Sequence, residues 1–116
     1  MSEPTVFERI VARELPATIL FEDDELIALT PIEALAPVHI LVVPKTAQYA
    51  DVVELAAADP ALLARIVAVS KQLADEHSNG EFRLVFNSGA SAGQTVFHVH
   101  AHVLSGALEE GSLGQL

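Results

Sequence analysis

The stretch Val96-Phe97-His98-Val99-His100-Ala101-His102-Val103-Leu104 alternates imidazole and apolar side chains from residue 98 to residue 103. A two-residue period is the mark of a β-strand, where residues i, i+2 and i+4 share one face at spacings of about 6.5–7 Å. Read this way, 96–104 is a strand that sends His98, His100 and His102 to one side and Val99, Ala101 and Val103 into a core on the other. Packing alone is a poor reason for three imidazoles in strict alternation. Two chemistries are open at this point. One is a metal site, with His39 from a neighbouring strand joining the three histidines around a zinc ion. The other is nucleophilic catalysis, one imidazole attacking phosphorus while its neighbours handle protons and charge.

The residues just upstream favour phosphorus. Asn87-Ser88-Gly89-Ala90-Ser91-Ala92-Gly93-Gln94-Thr95 is a loop of small residues. Such a loop leaves backbone N–H groups open as an anion-binding nest, and Thr95 adds a hydroxyl beside the histidines. A bare zinc site has no use for it.

Moving further out, His39-Ile40-Leu41-Val42-Val43-Pro44 is rich in β-branched residues and reads as a central buried strand closed by proline. Ile19-Leu20-Phe21 and 26–29 read as a hairpin around the acidic run Glu22-Asp23-Asp24-Glu25, taken as a solvated turn. Residues 82–87 form another strand. Thr5 with Glu8 is a capping box for a short N-terminal helix that Pro16 terminates. Residues 51–58 suit a short helical segment. Asp59-Pro60 opens the main helix, with Leu62, Leu63, Ile66, Val67 and Leu73 on one face and Asn79-Gly80 as its stop. Five strands on short connections make an antiparallel sheet, so the fold class is α+β, with one main helix and a short N-terminal helix.

With 116 residues, the chain is expected to form one domain (1–116), with a core at 5–106 and a weakly patterned tail at 107–116. Six Lys and Arg stand against sixteen Asp and Glu, a formal charge of −10, which disfavours polymeric nucleic acid as a partner. A single nucleotide remains compatible, because imidazoles and backbone amides hold a phosphate without a basic patch. The absence of cysteine excludes disulfides and thiolate metal sites. No signal-like start and no apolar run long enough for a bilayer is seen, so the expectation is a cytoplasmic protein with no membrane partner.

His98-Val99-His100-Ala101-His102-Val103-Leu104 resembles the His-φ-His-φ-His-φ-φ signature (φ apolar) of the histidine triad superfamily. Phe7-x-x-Ile10, Glu14-Leu15-Pro16-Ala17, Phe21-Glu22-Asp23-Asp24, Ala36-Pro37-Val38-His39 through Val43-Pro44-Lys45, and 87–104 extend the likeness to the HINT branch over residues 5–106. A histidine at 102 separates the chain from the galactose-1-phosphate uridylyltransferase branch, which has glutamine there.

The resemblance implies hydrolysis of nucleoside 5′-phosphoramidates or related adenylates through a covalent nucleotidyl-histidine. It makes His100 the nucleophile, His102 a donor to the phosphate, and His98 and His39 supporting histidines. Asn87, Gly93, Gln94 and Thr95 fall on the phosphate side of the substrate. Phe7, Ile10, Leu15, Leu29 and Ile32 fall on the wall of a purine pocket, although each also reads as an ordinary core residue. The implied partner is a purine nucleotide, the implied assembly a homodimer, and no cofactor is expected beyond an adventitious zinc on His39, His98, His100 and His102. The alternatives are a non-catalytic nucleotide sensor and a zinc-binding hydrolase. Two segments depart from the family pattern. Pro31 stands where the family has a ribose-binding aspartate, and 105–116 lacks a Trp-Pro-Pro-Gly ending.

Overall fold

The structure, a computed structural model, describes residues 3–110. Five strands form one antiparallel sheet: β1 (Ile19–Glu22), β2 (Leu26–Leu29), β3 (Val38–Pro44), β4 (Arg83–Val85) and β5 (Ala101–Ser105). Their order across the sheet is β1-β2-β3-β5-β4. The expected α+β architecture is therefore the observed one. Between β3 and β4 the chain crosses over through α2 (Val52–Ala58) and α3 (Pro60–His77), so that β5 slots in beside β3.

Local chemistry sets the helix ends. Thr5 caps α1 (Val6–Val11) by accepting from the Glu8 amide at 3.1 Å, while the Glu8 carboxylate accepts from the Thr5 amide at 2.8 Å. Asp51 caps α2 through the Glu54 amide, and Asp59 caps α3 through the Leu62 amide with Pro60 at its first position. On α3 the inward face is Leu62, Ile66, Val69, Leu73 and Ala74. Val67, expected on that face, is instead exposed.

Alternation along the strands builds two different faces. Leu26, Ala28, Ile40, Val42, Val99, Ala101 and Val103 join α2 and α3 in the larger core. Ile27, Leu29, Leu41 and Val43 point the other way and pack with Phe7 and Ile10 of α1. β2 and most of β3 are thus buried on both sides, which explains their unbroken apolar composition.

The strand expected over 96–104 starts only at Ala101. The ladder with β3 ends at the pair Val42↔Ala101, and Pro44 has no N–H to extend it. Preceding residues find other partners: the Val99 amide donates to the Tyr49 carbonyl at 3.0 Å. The alternation of faces nevertheless persists through 98–100, since Val99 lies in the larger core and the histidines on either side of it do not.

The acidic turn is more than a solvated one. Glu22 pairs with Arg13 and with Lys45 (2.8 Å), and Arg65 of α3 bridges Asp23 (2.5 Å) and Glu25 (2.9 Å). These pairs tie the hairpin to both the main helix and the region following α1. Among the described residues, no helix is long and apolar enough to cross a membrane. The expected tail falls outside the described residues from position 111 onward.

Candidate active site

The face under α1 carries four histidines in an ordered row. His39 comes from β3, His102 from β5, and His98 and His100 from the segment leading into β5. In the β3–β5 register, His39 lies opposite Leu104 and Leu41 opposite His102, so the two histidines are diagonal neighbours. Their rings lie 5.3 Å apart, with His39 Nε2 3.0 Å from His102 Nδ1. His100 and His102 are 5.2 Å apart, and Phe7 covers both His98 (5.5 Å, edge-on) and His100 (4.9 Å).

The hydrogen bonds fix which nitrogen of each ring bears the proton. A neutral imidazole has one donor and one acceptor, whereas a backbone amide only donates and a carbonyl only accepts. The Leu35 amide donates to His39 Nδ1 at 3.1 Å, so the His39 proton sits on Nε2 and is donated to His102 Nδ1. His102 therefore keeps its own proton on Nε2. His100 Nδ1 donates to the His98 carbonyl at 2.8 Å, which leaves His100 Nε2 as a bare lone pair. His98 Nε2 donates to the Pro44 carbonyl at 2.6 Å, and its Nδ1 accepts from the Thr5 hydroxyl at 2.8 Å. Among the described residues, no buried side-chain polar atom lacks a partner.

Burial holds all four rings in this neutral state. It pushes His39, His98 and His100 below the ordinary histidine range. His102 falls furthest, to about 4, through burial and then through the neighbouring His100 and His39. At neutral pH the site thus holds an unprotonated His100 imidazole with a bare Nε2 beside an N–H donor. This pairing suits attack on phosphorus.

His100 opens onto a cavity of about 960 Å³. Phe7, Ile10, Leu15, Leu29 and Ile32, the five residues expected on a purine wall, all line it, together with Thr95 and Pro31. Phe7, Ile10 and Leu29 are at the same time members of the smaller core, so both readings of them hold. Leu15 and Ile32 are exposed. Sequence reasoning missed Leu41 and Val96, which also line the wall. It also missed the supporting roles of the Leu35 amide and the Pro44 carbonyl, which no side-chain motif announces.

The small-residue loop departs from expectation. Its amides at Gly89, Ala92, Gly93 and Gln94 are taken by Gln94 Oε1 and by the Gly89 and Ala90 carbonyls, around a 3₁₀ turn at Ala90–Ala92. They do not form an open nest. Gly93 ends the turn in a left-handed conformation (φ 97°) that favours glycine. Gln94, expected to touch substrate, is buried and uses its amide elsewhere: Nε2 donates to the Ala50 and Val96 carbonyls at 2.6 and 3.1 Å. It staples the loop to the chain ahead of α2. Asn87 is half-buried on the approach to the loop, and neither it nor Gly93 lines the cavity. Thr95 does, as does His100.

The four histidines named for an adventitious zinc are engaged with one another and with neighbouring groups. His39 and His98 have both ring nitrogens committed, and His100 has one. Among the described residues, no three His, Cys, Asp or Glu side chains are grouped to hold an ion.

Residues 12–108 match the family model described as HIT domain. The chain belongs to the HIT domain family. This HIT protein is 44% identical over 110 residues to an uncharacterized HIT-like protein of Synechocystis, covering 91% of this chain and 93% of that one. It is 36% identical over 107 residues to the adenylylsulfatase HINT1 of Arabidopsis thaliana, covering 89% and 71% of the two chains. A HIT family hydrolase from Clostridium thermocellum superposes with a TM-score of 0.84 at 39% identity, covering 92% of this chain and 94% of the other. The expected family and its fold are therefore the ones found.

Proposed function

We propose that this HIT protein hydrolyses purine nucleoside 5′-phosphoramidates and related adenylates to the nucleoside monophosphate. The observation that carries the reading is the lone pair on His100 Nε2, freed by the Nδ1 bond to the His98 carbonyl, on a ring that lines the cavity. In the first step Nε2 bonds to the α-phosphorus as the phosphorus–amine bond breaks, and the leaving amine takes up a proton from solvent. In the second step water bonds to phosphorus, the phosphorus–Nε2 bond breaks, and the proton of the attacking water is released. His102, holding its proton on Nε2, donates to a phosphoryl oxygen as charge builds there. His39 keeps His102 in that tautomer, and Thr95 offers a hydroxyl to the phosphate. Gly93 shapes the loop that carries Thr95 and Asn87 leads into it, and Phe7, Ile10, Leu15, Leu29 and Ile32 receive the base.

The Arabidopsis relative's name, adenylylsulfatase, supports including acid anhydrides of AMP among the substrates. A cytoplasmic homodimer belongs to the same proposal, and sedimentation of the full chain checks the dimer. The direct test is AMP release from adenosine 5′-phosphoramidate by wild type and His100→Ala. Turnover by wild type alone is expected. Full activity of His100→Ala overturns the assigned nucleophile, and tight AMP binding with no turnover across amides and anhydrides replaces the enzyme by a nucleotide sensor.

A further inference from the structure

Thr5 stands at the N-terminus of α1, and its hydroxyl has two partners. It accepts from the Glu8 amide at 3.1 Å, closing the helix cap, and lies 2.8 Å from His98 Nδ1, 93 residues away in sequence. His98 is completely buried, and its other nitrogen faces the Pro44 carbonyl, which can only accept. The His98 proton is therefore on Nε2, and Nδ1 needs a donor. The Thr5 hydroxyl is the donor it has. His98 in turn offers its own carbonyl to His100 Nδ1, the bond that leaves His100 Nε2 bare.

We infer that Thr5 is a positioning residue for the His100 nucleophile, acting through His98. This rests on the proposed chemistry at His100 for its kinetic consequence, but not for its structural one. The hydroxyl proton satisfies His98 Nδ1 and so holds the ring in the tautomer that grips the Pro44 carbonyl. With the ring pinned at both nitrogens, the His98 backbone carbonyl is held where His100 Nδ1 meets it. The same hydroxyl registers α1 against the histidine row, and α1 brings Phe7 over His98 and His100 and supplies Ile10 to the cavity wall. A change at Thr5 thus acts on the support of His100 rather than on the cavity wall itself, which Thr5 does not line.

Capping and donation can be separated by substitution. Serine keeps both, aspartate caps the helix but has no proton to donate at neutral pH, and valine does neither. The full chain carrying Thr5→Ser, Thr5→Asp or Thr5→Val is compared with wild type in adenosine 5′-phosphoramidate turnover, thermal melting and imidazole ¹⁵N NMR. Stability should follow the cap, so that Thr5→Asp melts near wild type and Thr5→Val melts lower. Turnover should follow the donor: Thr5→Ser restores kcat, whereas Thr5→Asp and Thr5→Val lose about tenfold, as expected for one orienting hydrogen bond, with KM within about twofold. In wild type the His98 ¹⁵N shifts should report a bare Nδ1 and a protonated Nε2, and this pattern should be lost in Thr5→Asp. Wild-type kcat in Thr5→Asp, or losses that merely track the melting temperature, overturn the positioning role. A wild-type spectrum with the proton on His98 Nδ1 overturns it even if no phosphoramidate is turned over. Absence of turnover with the expected spectrum refutes the proposed activity alone.

Discussion

On the side of the sheet covered by α2 and α3, Leu26, Ile40, Val42, Leu55, Ile66, Leu73 and Val103 close into a buried apolar core. On the opposite side, the six residues of α1 cover only part of the sheet, and what they leave is a cavity with His100 at its wall. The same strands supply both faces, with Ile40 and Val42 turned one way and His39, Leu41 and Val43 the other. The contrast shows how a small fold assigns stability and chemistry separately. The thick face carries the burial that holds the fold together, while the thin face spends its polar contacts on orienting imidazoles. The strands under His39 and His102, and the hydrogen bonds of the segment before β5, then fix the spacing of the histidines without a large overlying structure.

Substitutions on the two faces should therefore fail in different ways. His100→Ala removes the proposed nucleophile and should cost about 10⁴-fold or more in kcat for the phosphoramidate, with a melting temperature close to wild type. If that protein instead unfolds with the loss of activity, the division between faces does not hold. Leu73→Ala on the helix side should destabilise by about 2–5 kcal/mol in urea titration. The activity of its folded fraction should remain that of wild type.

Acid should separate the faces next. The folded chain depresses the pKa of His39, His98, His100 and His102, so the unfolded chain binds more protons as the pH falls. The stability drawn from these neutral rings is intact above pH 6.5 and is lost progressively between 6.5 and about 4, the His102 value. Protonation also removes the His100 lone pair, so kcat/KM should be flat near neutral pH and fall on the acid side below 6.5. Leu73→Ala should leave the position of that limb unchanged, which a pH–rate profile of the two proteins checks. An acid limb centred above pH 7 contradicts the burial argument.

Smaller effects sharpen the picture at the margins. Gln94→Ala opens the loop staple and should lower kcat/KM about tenfold, mostly through KM, since the loop carries Thr95, the residue proposed to meet the phosphate. Arg65→Ala releases the pairs with Asp23 and Glu25 at the surface. It should leave the melting temperature nearly unchanged and leave kinetics alone.

Much of this arrangement was readable from residue order. Alternation in 98–103 and the apolar run of β3 assigned faces correctly, because a period of two survives even where the ladder stops. The early end of pairing at Ala101 was hidden, since it depends on Pro44 lying beside that segment in space. Gln94 in a loop of small residues looked like a substrate contact. Only the position of the Ala50 carbonyl turns it inward. The cap at Thr5 was plain in the spacing to Glu8, but its second bond, to His98, joins residues that no local pattern relates. The acidic turn likewise had its counterions at Arg13, Lys45 and Arg65, spread over three other segments. Local chemistry was legible, and long-range polar pairing was not.

The central claim is that His100 Nε2 is the atom that bonds to phosphorus. Rapid acid-free quenching of wild type during turnover of adenosine 5′-phosphoramidate, followed by peptide mass spectrometry, tests it most directly. The account predicts an added adenylyl group on the peptide containing 98–102, fragmenting to His100 and absent in His100→Ala. An adenylyl group on His98 or His102 instead, or turnover that persists in His100→Ala, would contradict it.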